Sequence, residues 1–97
     1  GNEISGKGMM HLAGLKNLKG LHLGETKVDD VGIKHLAGLV RLEQLWLHDT
    51  GVSDASVDQL GKLSMLREID LRNSALTSGG IARLRELLPK CNVLHSR

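Results

Sequence analysis

The stretch Leu18-Lys-Gly-Leu21-His-Leu23-Gly-Glu-Thr26-Lys-Val28 is followed 24 residues later by Leu42-Glu-Gln-Leu45-Trp-Leu47-His-Asp-Thr50-Gly-Val52. After another 24 comes Leu66-Arg-Glu-Ile69-Asp-Leu71-Arg-Asn-Ser74-Ala-Leu76. The same period continues on both sides of this segment. Leu12, Leu36, Leu60 and Leu84 form one column, Leu15, Leu39, Leu63 and Leu87 another, and Met9, Ile33, Val57 and Ile81 a third. A fixed period of this length marks a chain built from stacked supersecondary units, each of which buries its apolar face only against a neighbour.

Local physics gives the shape of one unit. Leu21-His22-Leu23 and Leu45-Trp46-Leu47 alternate with period 2, as a half-buried strand does. Ile33 and Leu36, then Val57 and Leu60, stand three apart, which fits one face of a short helix. Asp30 and Asp54 fall where helix N-caps are expected, with Ser78 and Gly6 in the same place in the outer units. Gly14 and Gly38 are expected to stop helices in the left-handed conformation. The hydroxyl column Thr26, Thr50 and Ser74 reads as structural, bonding turn backbone of its own and the adjacent unit.

The pattern Leu18-x-x-Leu21-x-Leu23-x-x-Thr26-x-Val28 resembles the leucine-rich repeat, with Thr where Asn or Cys is usual. Its continuation through Asp30, Gly32, Ile33 and Leu36 is similar to 24-residue repeats of bacterial leucine-rich proteins and to the cysteine-containing repeats of F-box-type adaptors. The resemblance spans residues 2 to 97. It implies an α/β fold, a right-handed solenoid with a parallel sheet on the concave side and short helices on the convex side. The units are then a partial first repeat over 2–17, repeats over 18–41, 42–65 and 66–89, and a C-terminal cap over 90–97. Asn2 and Ile4 align in mid-repeat, so a fragment of a longer protein is expected, with Gly1 a cloning remnant and an open edge beside the Leu21 strand. At the other end Pro89 stops a longer helix, and Cys91, read as a buried cap residue, leads with Val93 into a last strand.

Composition narrows the function. The chain has 97 residues, 19 of them Leu, no Phe or Tyr, and Trp46 as its only aromatic residue apart from histidine. A net charge of +2 with mixed signs gives no field that would imply nucleic acid or a membrane surface. No apolar run approaches the ~20 residues of a membrane span. The single Cys excludes an internal disulfide, and without paired-Cys caps an intracellular, cytoplasmic location is expected.

Strand alternation sends one set of side chains outward in rows: Gly20, Gln44, Glu68; His22, Trp46, Asp70; Gly24, His48, Arg72; and beside them Glu25, Asp49, Asn73. An outward Trp amid polar residues is either an anchor for a partner or a cover for Gly20 and Gly24 on the next strand. His22, His48, Asp49 and Asp70 do not converge as metal ligands must, and no phosphate loop, serine elbow or nucleophile–base motif is present. The expectation is therefore a non-catalytic module without cofactor. It binds a protein partner on the concave sheet through Trp46, His22, His48, Gln44, Asp70, Arg72, Glu68 and Asp49, of which His22, His48, Asp70 and Asp49 are read as solvated recognition residues. The alternative is an end segment that stacks or self-associates as a homo-oligomer through the open N-terminal edge.

Overall fold

The computed structural model describes residues 12 and 14–95. Four three-residue strands, β1 (Gly20–His22), β2 (Gln44–Trp46), β3 (Glu68–Asp70) and β4 (Asn92–Leu94), form a parallel sheet in the order β1-β2-β3-β4. Each strand pairs with the next at a step of 24 residues: Leu21 faces Leu45, Leu45 faces Ile69, and Ile69 faces Val93. The sequence period is thus the sheet register. The Leu23 amide donates to the Trp46 carbonyl, Leu47 to Asp70 and Leu71 to Leu94, all within 2.7–2.8 Å.

Short helical segments cross between strands. They are α1 (Asp30–Ile33) running into a 3-10 turn (Lys34–Leu36), a 3-10 turn (Asp54–Ser56) running into α2 (Val57–Leu60), and α3 (Ser78–Leu87). One continuous core lies between helices and sheet, filled by the columns Ile33, Val57, Ile81; Leu36, Leu60, Leu84; Leu39, Leu63; Leu45, Ile69, Val93; and Leu47, Leu71. Leu87 departs from its column. It is 40% exposed, and Leu88 takes the core place as the ten-residue α3 runs on toward Pro89. Leu87 covers Gly61 instead, where a β-carbon would lie 2.6 Å from its Cδ1.

Helix starts differ by one residue from the sequence expectation. The N-caps are Asp29, Ser53 and Thr77, each accepting amide hydrogens of its own first turn. Asp30 and Asp54, expected as caps, reach into the following repeat. Asp30 accepts from the Ser53 amide at 2.8 Å and from the Ser53 and Ser56 hydroxyls. Asp54 accepts from the Thr77 amide at 2.9 Å and the Thr77 hydroxyl at 2.6 Å. The caps Ser53 and Thr77 are thereby each held by the repeat before them. Burial raises the Asp30 carboxyl pKa, but the Ser53 hydroxyl and amide and the Ser56 hydroxyl outweigh it and hold the group below its ordinary value.

The glycine expectation fails: no described glycine has positive φ, so Gly14 and Gly38 are not left-handed stops. The left-handed positions are Glu25, Asp49 and Asn73, at φ of 56–60°. They reverse the chain after each strand, so that the next residue's hydroxyl turns back on the strand end. Thr26 Oγ1 donates to the Leu23 carbonyl, Thr50 to Leu47 and Ser74 to Leu71, at 2.7–2.8 Å. These hydroxyl bonds stay within one repeat, and the turns are joined to the next repeat by other groups, as by the Gly51 N–H donating to the Val28 carbonyl. Cys91 is half-buried against the core, not fully buried. Desolvation first, then the charge of Glu68, raises its thiol pKa, which keeps it protonated and a poor nucleophile. The expectations at Asn2, Ile4, Gly6 and Met9 lie outside the described residues.

Candidate functional site

The pairing register sets the outer rows directly: Gly20, Gln44, Glu68 and Asn92 stand abreast, as do His22, Trp46, Asp70 and Leu94. Trp46 points away from the core because Leu45 and Leu47, on either side of it, are fully buried. Its ring is held on three sides. His22 lies flat against it, ring centroids 3.8 Å apart and planes 14° from parallel. The indole Nε1 donates to Glu68 Oε2 at 3.0 Å, and the His48 ring meets it edgewise at 6.4 Å. His22 Nε2 in turn lies 3.2 Å from Gln44 Oε1. Neither Gly20 nor Gly24 has Trp46 as its nearest neighbour. His48 sits on Gly24, where a β-carbon would come within 2.1 Å of the imidazole, and the space above Gly20 meets only Gln44, at 3.7 Å.

Asp70 differs most from expectation. It belongs to the outward row, yet it is only 3% exposed and not a solvated recognition residue. Its carboxylate is clamped by Arg72, with Nε donating to Oδ1 at 2.9 Å, Nη2 to Oδ2 at 2.7 Å and the Arg72 amide to Oδ1 at 3.1 Å. The Arg72 guanidinium therefore holds the Asp70 carboxyl below its ordinary pKa, against burial. The Arg72 pKa rises in return, through Asp70 first and then through Asp49 and Glu68. Asp49 accepts from the Asn73 side-chain amide in the next repeat.

The eight expected residues thus lie on one side of the sheet, with Asp70 buried abreast of Trp46. Sequence reasoning missed the depression at the start of the strands, where Lys19, Glu43, Arg67 and Asn92 join Gly20, Gln44 and Glu68 around roughly 520 Å³ of open space. The signal was available, since Lys19, Glu43 and Arg67 are one 24-residue column immediately before each strand. Among the described residues no group of three or more His, Cys, Asp or Glu is placed to hold a metal ion. No helix among them is long and apolar enough to cross a membrane.

No protein-family model matches the sequence, and no curated protein matches it. Among solved structures, 13 chains match. One is an internalin from Listeria monocytogenes, a leucine-rich repeat protein, with a TM-score of 0.57 at 20% identity. The match covers 91% of this chain and 33% of the internalin chain, so the present chain spans about a third of that protein's length. The fold is leucine-rich-repeat-like. At this identity the likeness concerns the fold alone.

Proposed function

We propose that this chain is a non-catalytic protein-interaction module, a right-handed solenoid whose outer sheet face is the concave surface that takes up a protein partner. The observation that supports this most is the state of Trp46. A large aromatic side chain stands outside the core, between the buried Leu45 and Leu47, and three neighbours fix its orientation before any partner arrives. Such preorganisation lowers the entropy lost on binding, and Trp is among the residues that most often dominate interface energetics. His22, Gln44, Glu68, Asp49 and Arg72 then form a polar surround of both signs suited to orienting a protein surface. Asp70 acts through Arg72, holding the guanidinium in place.

The test compares partner capture by wild type, by Trp46→Ala and by Lys62→Ala, which changes a charge remote from the sheet face, with far-UV circular dichroism and thermal melting as fold controls. Partners retained by wild type and Lys62→Ala but lost by folded Trp46→Ala are the expected result. Equal capture by all three overturns the reading. A second reading, stacking or self-association through β1, is supported by the half-exposed Leu15 and by β1 being an edge of the described sheet. It predicts a mass that rises with concentration in sedimentation, independent of Trp46.

A further inference from the structure

Among the described residues, His48 Nδ1 is the one buried side-chain polar atom left unsatisfied, although the side chain as a whole is half-buried. Its Nδ1 is out of contact with water and has no hydrogen-bond partner among the described residues. Asp70 Oδ2 lies 3.6 Å away, beyond hydrogen-bonding distance. The ring rests on the bare Cα of Gly24 and touches the edge of Trp46. The carboxylate it faces is incompletely used. Oδ1 takes two bonds from Arg72, but Oδ2 takes only one, and a carboxylate oxygen has room for two.

Histidine is the side chain whose charge ordinarily changes between about pH 5 and 8. A proton added to neutral imidazole makes both ring nitrogens donors. We propose that His48 is a proton-operated switch beneath Trp46: once protonated, it moves off Gly24 to donate from Nδ1 to the free site on Asp70 Oδ2, and so changes how Trp46 is held. Closing the gap to an ion-paired hydrogen bond of about 2.8 Å requires a shift of roughly 0.8 Å. The inference rests on the reading of Trp46 as the anchor, and it adds regulation of that same site by pH.

The charged and titratable groups around His48 come from three sides. Those of the β1 repeat are His22 and Glu25, those of the β3 repeat are Glu68, Asp70 and Arg72, and Asp49 is its own neighbour in sequence. Arg72 opposes a second positive charge, but its guanidinium is already committed to Asp70, while the carboxylates favour that charge. His22 is a second imidazole in contact with the indole, and its part has to be separated by mutation.

The chain has one Trp and no Tyr or Phe, so its intrinsic emission reports Trp46 alone. Emission is recorded from pH 8 to pH 5 on the isolated chain, with far-UV circular dichroism on each sample, for wild type, His22→Gln, His48→Gln and the double variant. In His22→Gln the pH-driven change in emission persists, and in the double variant it is lost. Gly24→Ala, whose β-carbon occupies the place of the ring, shows at pH 8 the emission that its parent reaches only in acid. A folded His22→Gln whose emission is flat across the range overturns the proposal, as does a folded double variant that still responds. No partner enters this experiment, so its failure is distinct from failure of the partner-binding reading.

Discussion

Replacing Asp30 by Ala removes a carboxylate that belongs to one repeat but serves the next. Three donors lose their acceptor: the Ser53 amide, the Ser53 hydroxyl and the Ser56 hydroxyl. A hydrogen bond to a charged group contributes about 1.5–3 kcal/mol when well buried. Asp30 is half-buried and the hydroxyls can turn toward other partners, so about 1 kcal/mol each is the better figure. The expected loss is about 2–3 kcal/mol, a large part of the ~5–15 kcal/mol typical of a domain. For a chain of this size it corresponds to a fall of roughly 10–20 °C in Tm. Because the folded-state pKa of Asp30 is depressed, its contribution is complete above the ordinary carboxylate range near pH 4 and is lost as the pH falls through the folded value. Urea unfolding followed by far-UV circular dichroism at pH 7 and pH 3 measures both effects. A loss below about 0.5 kcal/mol at pH 7 would refute the reasoning, since that is the range of surface substitutions with no role. So would a difference between wild type and variant that is the same at both pH values. Asp54→Ala, at an exposed carboxylate serving Thr77 alone, costs less than Asp30→Ala in the same assay.

Three further substitutions probe Gly80, inside α3, and Glu25, at the turn after β1. At Gly80 a β-carbon would lie 2.0 Å from Asp54 Oδ1, whereas the equivalent Ser56 meets Asp30 with a hydroxyl that the carboxylate accepts. Gly80→Ala is therefore expected to destabilise by about 1–3 kcal/mol, as overpacking does, and Gly80→Ser by less, because it can adopt the Ser56 arrangement; denaturant midpoints give the order. Glu25 is held at φ 60°, a conformation that costs an L-residue about 1–2 kcal/mol and glycine almost nothing. Glu25→Gly is expected to raise Tm by several degrees, and a lower Tm would show that the Glu25 side chain contributes more than its backbone costs.

The sheet and core were legible because a constant period leaves little freedom. Once Leu21, Leu45 and Ile69 occupy one column, parallel pairing at a 24-residue step follows, and the direction of Trp46 follows from Leu45 and Leu47. Errors arose where two adjacent residues were both chemically suitable. Asp29 and Asp30 are each competent N-caps, and propensity does not distinguish them; the choice is made in the next repeat, where Ser53 offers an amide and a hydroxyl to Asp30. Gly38 looked like a left-handed stop, but the helical segment ends in a 3-10 turn, and the left-handed residues are instead Glu25, Asp49 and Asn73. Two of these are of the types that tolerate that conformation best. On the candidate site, alternation placed Asp70 outward but could not show Arg72 folding back over it, or His48 leaning onto Gly24, because those outcomes depend on rotamers in neighbouring strands.

The carboxylate that links each repeat to the next gives the architecture a rule for elongation. An added 24-residue unit fits between existing ones if it supplies both halves of the joint: a Ser or Thr cap at the position of Ser53, and an Asp directly after it at the position of Asp54. The second repeat already carries the pair, so a copy of residues 42–65 placed after itself would find an acceptor upstream and offer one downstream. Stability of such arrays should then grow by a constant increment per copy, as in a one-dimensional lattice with nearest-neighbour coupling. A unit lacking the Asp would act as an insulator, leaving the segments on either side to melt at separate temperatures.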